Sequence, residues 1–245
     1  MKKNVFRVGL CAALLLVALS IAVFAAGGSD PCDKLTPEAI TKHLSLPQFT
    51  FASKRDVGDG LCEAVLKVNG DLLPVYVTDN YVIVGDMFRF RGHPTREKLA
   101  ELDAITFREN KAALDEATAF AYTPSQPKTT VYYITDPDCS YCEKAKLPVK
   151  QFADENNVEI KVVLYPLPMH PNAREKAIKG ICAKMTYQDY IDGKYEGKEC
   201  KKGKDKIERA ATIVEKLKVT GTPTFISDNG QKVVGFSPEK LRETL

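Results

Sequence analysis

Two cysteines separated by two residues, Cys139 and Cys142, have the spacing of a dithiol that could exchange disulfides. They follow a β-rich run at residues 129–135 and open a helical stretch that reaches about residue 156. At a helix start the two sulfurs come within bonding reach, and the free backbone N–H groups of the first turn face Cys139. The partial positive charge there favours the thiolate, which is the form that attacks a disulfide. The sequence therefore predicts Cys139 as the nucleophile and Cys142 as the shielded thiol that resolves a mixed disulfide.

Acidic residues bracket this dithiol, since Asp138 precedes Cys139 and Glu143 follows Cys142. A carboxylate beside Cys139 opposes formation of the thiolate, because like charges repel. Asp138 could instead cap the helix by accepting hydrogen bonds from its first N–H groups. Both roles of Asp138 remain open at the level of the sequence.

A zinc site and an inert structural disulfide are the other uses of two closely spaced cysteines. Zinc normally needs four ligands, usually from two such pairs. The other cysteines are widely spaced, and the three histidines, His43, His93 and His170, show no ligand spacing. The sequence therefore predicts redox chemistry with no metal and no cofactor, well ahead of a zinc site, and an inert disulfide ranks third.

The N-terminus has the organisation of an export signal. Residues 1–7 carry Lys2, Lys3 and Arg7, residues 8–26 are almost entirely apolar, and residues 27–30 are small or polar. This order predicts a signal peptide at residues 1–25 that directs the chain out of the cytoplasm. The apolar run is close to the ~20 residues that a membrane-spanning helix requires, so an uncleaved membrane anchor is the minority interpretation.

Removal of the signal would change both the charge and the cysteine content of the chain. The formal charge of +3 would fall to about zero, so nucleic acid is not an expected partner. Cys11 would leave with the signal, and the remaining cysteines form an even set that can pair outside the cytoplasm. Their grouping along the chain suggests the pairs Cys32 with Cys62, Cys139 with Cys142, and Cys182 with Cys200.

The first half of the chain predicts a small β-rich unit and a long helix. Thr36 and Pro37 are typical of a helix start, and this helix should reach about Leu44. Residues 61–90 alternate β-rich runs with turn residues, which predicts an antiparallel meander. Residues 95–120 have apolar residues at helical spacing, and the prolines within residues 122–127 mark the clearest domain boundary.

The second half predicts a βαβ unit followed by further helices. The strand before Cys139, the helix after it and a run at residues 159–165 should form this unit with a parallel strand pair. Helices are expected at about residues 172–185 and 204–217. Strands at residues 224–227 and 232–236 flank an Asn-Gly turn, and a short helix begins at Pro238.

Two motifs of this second half resemble the DsbC/DsbG family of periplasmic disulfide isomerases. They are CSYC at residues 139–142, after a strand, and GTPT at residues 221–224, at the start of a later strand. The segment GLCEAVLKVNGDLLPVYVTDNYVIVGDMF at residues 60–88 resembles the N-terminal dimerisation domain of that family. The helix from Thr95 resembles its linker, so the similarity extends over nearly the whole mature chain.

This resemblance implies a fold class and a set of domains. The fold is α+β, with a thioredoxin-like catalytic domain that carries a helical insertion, preceded by a small antiparallel β-rich dimerisation domain and a linker helix. We expect the signal peptide at residues 1–25, the dimerisation domain at 30–92, the linker helix and hinge at 93–127, and the catalytic domain at 128–245.

The resemblance also implies roles for residues around the dithiol. The Thr222-Pro223 peptide bond is expected to be cis and to face Cys139 and Cys142, and its loop to pair with an extended substrate segment. Thr222, Pro223 and Tyr141 are accordingly the expected substrate-binding residues.

Cys182 and Cys200 match the structural disulfide in the helical insertion of the family. The chain departs from the family pattern at Ser140, at Glu143 and in an additional cysteine pair, Cys32 and Cys62.

The expected function is that of a periplasmic thiol:disulfide interchange protein. It would be a homodimeric isomerase or reductase that acts on misoxidised exported proteins and is kept reduced by a membrane thiol reductant of the DsbD type. A DsbA-like thiol oxidase, which would donate its own Cys139–Cys142 disulfide, is one alternative. A chaperone-like binding protein, whose apolar cleft matters more than its thiols, is the other.

Overall fold

The computed structural model of the chain describes residues 30–33, 35–90 and 92–245. The predicted signal peptide and Cys11 lie outside these residues. None of the helices in the described part of the chain combines the length and the apolar character that crossing a bilayer requires.

A four-stranded antiparallel sheet with one short helix forms the N-terminal part, as the predicted fold class requires. Thr36 caps the helix by accepting a hydrogen bond from the Ala39 N–H at 3.2 Å. The first strand was not predicted, because its second half is charged and only alternate residues of its first half are partly buried. The elements are α1 (Pro37–His43), β1 (Phe49–Asp56), β2 (Cys62–Val68), β3 (Asp71–Val77) and β4 (Val82–Val84), and the strands are ordered β1-β2-β3-β4.

The core of this part is small and lies between α1 and one face of the sheet. Ile40 of α1 and Leu66 of β2 are fully buried there. A disulfide between Cys32 and Cys62 joins the segment before α1 to the start of β2, with the Cα atoms 5.0 Å apart. The covalent bond therefore adds to a core that few apolar side chains supply.

A long helix, α2 (Pro94–Ala117), connects this sheet to the second one. At its first turn the Thr95 hydroxyl lies 2.5 Å from the Tyr76 hydroxyl of β3 and accepts the Met87 N–H at 2.7 Å. Its second half buries Phe107 and Leu114 against the second sheet. The helix is therefore attached to the structure at both ends.

The second sheet has five strands and the thioredoxin-like arrangement that was predicted. Strand order is β5-β7-β6-β8-β9; β6 pairs with β7 in parallel, and the remaining pairs are antiparallel. Its elements are β5 (Phe120–Tyr122), β6 (Thr129–Thr135), α3 (Ser140–Asn156), β7 (Val158–Leu164), α4 (Ala173–Cys182), α5 (Tyr187–Ile191), α6 (Lys201–Lys216), β8 (Thr224–Ser227), β9 (Lys232–Val234) and α7 (Pro238–Arg242).

The short strand β5 lies upstream of the proline-rich segment and belongs to this sheet. Phe120 pairs with Val162 of β7, and Tyr122 pairs with Ile160. The sheet that carries the dithiol therefore begins before Pro124, inside the range expected for the linker and hinge.

Alternation along β6 divides the second core into two layers. Val131 and Tyr133 face the layer that contains α3, whereas Tyr132 and Ile134 face the layer that contains α2 and α6. All four side chains are buried. The central strand is thus covered on both faces, and its C-terminal end leads directly to the dithiol.

Candidate active site

Cys139 lies at the start of α3, immediately beyond the end of the central strand. It is the N-cap residue of the helix, and its carbonyl accepts the Glu143 N–H at 3.0 Å. No side chain caps this end, so Asp138 does not fill the capping role that the sequence left open. The first-turn N–H groups consequently remain available to the sulfur of Cys139.

The environment of Cys139 favours its thiolate form. Burial disfavours the thiolate, but hydrogen bonds from the Cys142 thiol and from the N–H groups of Cys142 and Tyr141, together with the Thr222 hydroxyl, outweigh it. The pKa of Cys139 is therefore lowered from its ordinary value. The residue is 7% exposed, so it is more accessible than Cys142, which is fully buried.

Cys142 has the opposite character, because its side chain is fully buried one turn into α3. Burial is the largest influence on its thiol, and it exceeds the stabilisation by the hydroxyls of Thr135 and Thr222. The pKa of Cys142 is raised to about 11. Both cysteines are free thiols in this structure, and they differ strongly in readiness to ionise.

A loop containing a cis Thr222-Pro223 peptide bond faces the dithiol. The Cys139 thiol donates to the Thr222 carbonyl at 3.5 Å, and the Thr222 hydroxyl is buried without another hydrogen-bond partner in the described part of the chain. Beside the loop lies a groove of about 410 Å³, lined in part by Tyr141, Pro223 and Phe236. The three residues expected to bind substrate therefore share one surface next to Cys139.

Comparison with known proteins agrees with this geometry, since residues 116–245 match the thioredoxin-like domain family. The chain belongs to this family. A probable thiol:disulfide interchange protein DsbC from Bordetella avium is 29% identical over 226 residues, which cover 88% of this chain and 76% of the relative. The thiol:disulfide interchange protein DsbC from Escherichia coli is 26% identical over 177 residues, or 68% of this chain and 70% of the relative.

Among solved structures, a linker-deletion mutant of ScsC from Proteus mirabilis has a TM-score of 0.49 and 14% identity, and covers 61% of this chain and 83% of that chain. The predicted similarity to the DsbC/DsbG family is confirmed by the named relatives. Thiol-disulfide exchange is the activity that these relatives and the thioredoxin-like domain support.

Beneath the dithiol, the thioredoxin-like domain holds a group of buried hydroxyls that the sequence did not reveal. The Tyr133 hydroxyl donates to the Cys142 carbonyl at 3.2 Å, and the Tyr190 hydroxyl donates to Tyr133 at 3.3 Å. Thr135 lies 2.7 Å from Tyr190, hydroxyl to hydroxyl. These hydrogen bonds hold the first turn of α3 against the end of β6. Thr135 also supplies a hydroxyl that stabilises the buried Cys142 thiol in its ionised form.

A second disulfide, between Cys182 and Cys200, lies in the helical insertion of this domain. It joins the last residue of α4 to the N-cap residue of α6, with the Cα atoms 5.8 Å apart. A Cβ at Gly203 would approach the Cys182 sulfur to 2.7 Å, so a glycine lets the two helices come this close. The disulfide therefore fixes α4, which passes beside the dithiol.

Proposed function

We propose that this chain is a disulfide isomerase or reductase that acts on misoxidised exported proteins, with Cys139 as its nucleophile. The opposite ionisation of the two thiols supports this most directly, because the pKa of Cys139 is lowered whereas that of Cys142 is raised to about 11. One thiol is ready to attack, and the other stays protonated behind it.

The proposed reaction begins when the Cys139 thiolate attacks one sulfur of a substrate disulfide. A bond forms between that sulfur and Cys139, the substrate S–S bond breaks, and the second substrate sulfur leaves as a thiolate. In isomerisation this released thiolate attacks another disulfide of the substrate, and a later substrate thiolate displaces Cys139. No net electrons are transferred, and the enzyme returns to its dithiol form.

Reduction is the second outcome of the same mixed disulfide. Cys142 transfers its proton to the leaving substrate sulfur and attacks Cys139, so that the Cys139–Cys142 disulfide forms and the substrate gains two electrons. The enzyme must then be reduced again. We assign this step to a membrane thiol reductant of the DsbD type. The export signal expected at residues 1–25 supports the periplasm as the compartment in which the two proteins would meet.

Substrate binding is assigned to the surface around the cis Thr222-Pro223 bond. The groove beside it carries apolar side chains, and Tyr141 is 73% exposed at its rim. An extended substrate segment next to its cysteine can place an apolar side chain in the groove while its backbone meets the loop.

A homodimer is proposed through the edge of the first sheet. Half of the large apolar side chains that are exposed in the described residues fall within residues 81–90, on the edge strand β4 or in the residues that flank it. Pairing two such edges across a two-fold axis would satisfy open N–H and C=O groups and cover these side chains. They are Tyr81, Ile83, Val84, Phe88 and Phe90.

Oligomeric state tests the dimer directly. Light scattering of the mature protein at micromolar concentration should give the mass of two chains, and Ile83→Lys should give one. Leu147→Lys places the same charge at an exposed apolar position on α3 and should remain dimeric. A monomeric wild-type protein would contradict the dimer.

Substitution of each thiol tests the chemistry. Cys139→Ala should abolish reshuffling of a scrambled disulfide protein, whereas Cys142→Ala should accumulate mixed disulfides with it. The reverse pattern would show that the roles are exchanged. The redox state of the pair in rapidly quenched cells separates the functions, because an isomerase or reductase is mostly reduced and an oxidase is mostly oxidised.

A further inference from the structure

Three carboxylates near the dithiol, those of Asp136, Asp138 and Glu143, each have a basic partner. Glu143 pairs with Lys146 at 2.5 Å on the same helix. Asp136 lies 3.0 Å from His170 and also accepts the N–H groups of Asp138 and Leu167, each at 2.6 Å. The titratable and charged side chains around the start of α3 are Asp136, Asp138, Glu143, Lys144, Lys146, His170 and Lys176.

Asp138 differs from the other two carboxylates in how it is held. It immediately precedes Cys139, and its side chain is 22% exposed, so water screens its charge only in part. Its carboxylate accepts a hydrogen bond from the Lys176 ammonium group and from no backbone N–H in the described residues. The charge beside the nucleophile thus depends on one lysine from another element.

That lysine is in the second turn of α4, in the helical insertion. The start of α4 follows His170, whose carbonyl accepts the Ala173 N–H at 3.1 Å, and its end is bonded through Cys182 to Cys200. The helix is therefore held in place independently of the ion pair, and the backbone position of Lys176 does not depend on its contact with Asp138.

We propose that Lys176 is a positioning residue for the dithiol, which keeps the Cys139 thiolate available by neutralising the carboxylate of Asp138. This inference rests on the proposed role of Cys139 as the nucleophile. Without the lysine, an unpaired negative charge would stand next to the sulfur that must itself become negative. For a carboxylate on the adjacent residue that is only 22% exposed, roughly threefold to tenfold less thiolate is expected at neutral pH.

The test is the pH dependence of Cys139 alkylation in the reduced full-length protein, with iodoacetamide as the probe and mass mapping to separate Cys139 from Cys142. Lys176→Gln should move the midpoint of this profile to higher pH, because it lowers the thiolate fraction of Cys139 at neutral pH roughly threefold to tenfold. Lys179→Gln is the matched control, because that lysine pairs with Glu175 on the same helix. The control should keep the wild-type profile.

A second substitution distinguishes the charge effect from damage to α4. Asp138→Asn in the Lys176→Gln protein removes the unpaired carboxylate and should restore the wild-type midpoint, and Lys176→Arg should keep it. An unchanged profile in Lys176→Gln, or a double variant that is not restored, would overturn the inference. Both alkylation profiles are measured without substrate, so they are independent of the isomerase assay. Failure of that assay would instead contradict the proposed function.

Discussion

Raising the pH of the reduced protein should ionise the two thiols in clearly separate steps. Cys139 should react with iodoacetamide at neutral pH, because its pKa is lowered by hydrogen bonds that outweigh its burial. Cys142 should stay nearly inert until strongly alkaline pH, because burial raises its pKa to about 11. The perturbation is pH alone, and no substitution is needed.

The expected separation follows from the raised pKa of Cys142. At pH 8 only about one molecule in a thousand would carry its thiolate, since each pH step below the pKa lowers the ionised fraction tenfold. Its fully buried side chain further restricts the reagent. Mass mapping after a short exposure at pH 8 should find the label on Cys139 almost exclusively.

The free energy of unfolding of the reduced protein should also depend on the titration of Cys142. A thiol whose pKa is higher in the folded protein than in the unfolded chain stabilises the fold fully at pH values below its unfolded pKa, and this contribution is lost as the pH rises through the folded value. For Cys142 the window runs from the ordinary value of 9.0 to about 11. The reduced protein should lose about 2–3 kcal/mol across it.

The oxidised protein is the control, because a Cys139–Cys142 disulfide has no thiol to titrate. Urea unfolding of both forms between pH 9 and about 11 should show the extra loss only in the reduced form, while other titrating groups cancel in the comparison. Equal labelling of both cysteines at pH 8, or parallel stability curves, would refute this account of the pair.

Three further predictions concern stability and are measured by urea unfolding. Phe107→Ala should lower the free energy of unfolding by about 3–5 kcal/mol, because its side chain is buried between α2 and the second sheet; a loss under about 0.5 kcal/mol would show that α2 is only a connector. Gly230→Ala should cost about 2–4 kcal/mol, because φ is +89° and a Cβ would lie 2.9 Å from α2. Gly58→Ala, with φ of +91° and open space, should cost clearly less, and equal losses would contradict the contact. Replacing Cys182 and Cys200 by alanine should remove about 3 kcal/mol, and an unchanged midpoint would show that the disulfide is not stabilising.

Much of the fold could be predicted because local signals coincide with tertiary packing. The Thr36-Pro37 helix start and the strand that leads to Cys139 each combine a turn or cap residue with a distinct apolar pattern. The CxxC spacing likewise predicted a position for the chemistry, since only one pair of cysteines in the sequence stands at a helix start with this separation.

Other features depend on contacts that sequence periodicity does not contain. Strand β5 has three residues, too few to show alternation, and pairs with a strand 40 residues further along the chain, as in Ala121 with Lys161. The hydroxyl group of Tyr190 meets Thr135 across 55 positions, and Lys176 meets Asp138 across 38. Only the fold brings such groups together, so the electrostatics of the dithiol could not be read from its motif.

The attachment of α2 at both ends has a consequence for the size of molecule that the proposed dimer can hold. The helix has 24 residues, which corresponds to a length of about 36 Å. Thr95 ties one end to the first sheet, and Leu114 is buried under the second. In the proposed dimer, the length of this helix would set the distance of each dithiol from the two-fold axis, and one helical turn added or removed would change the space available to a substrate protein.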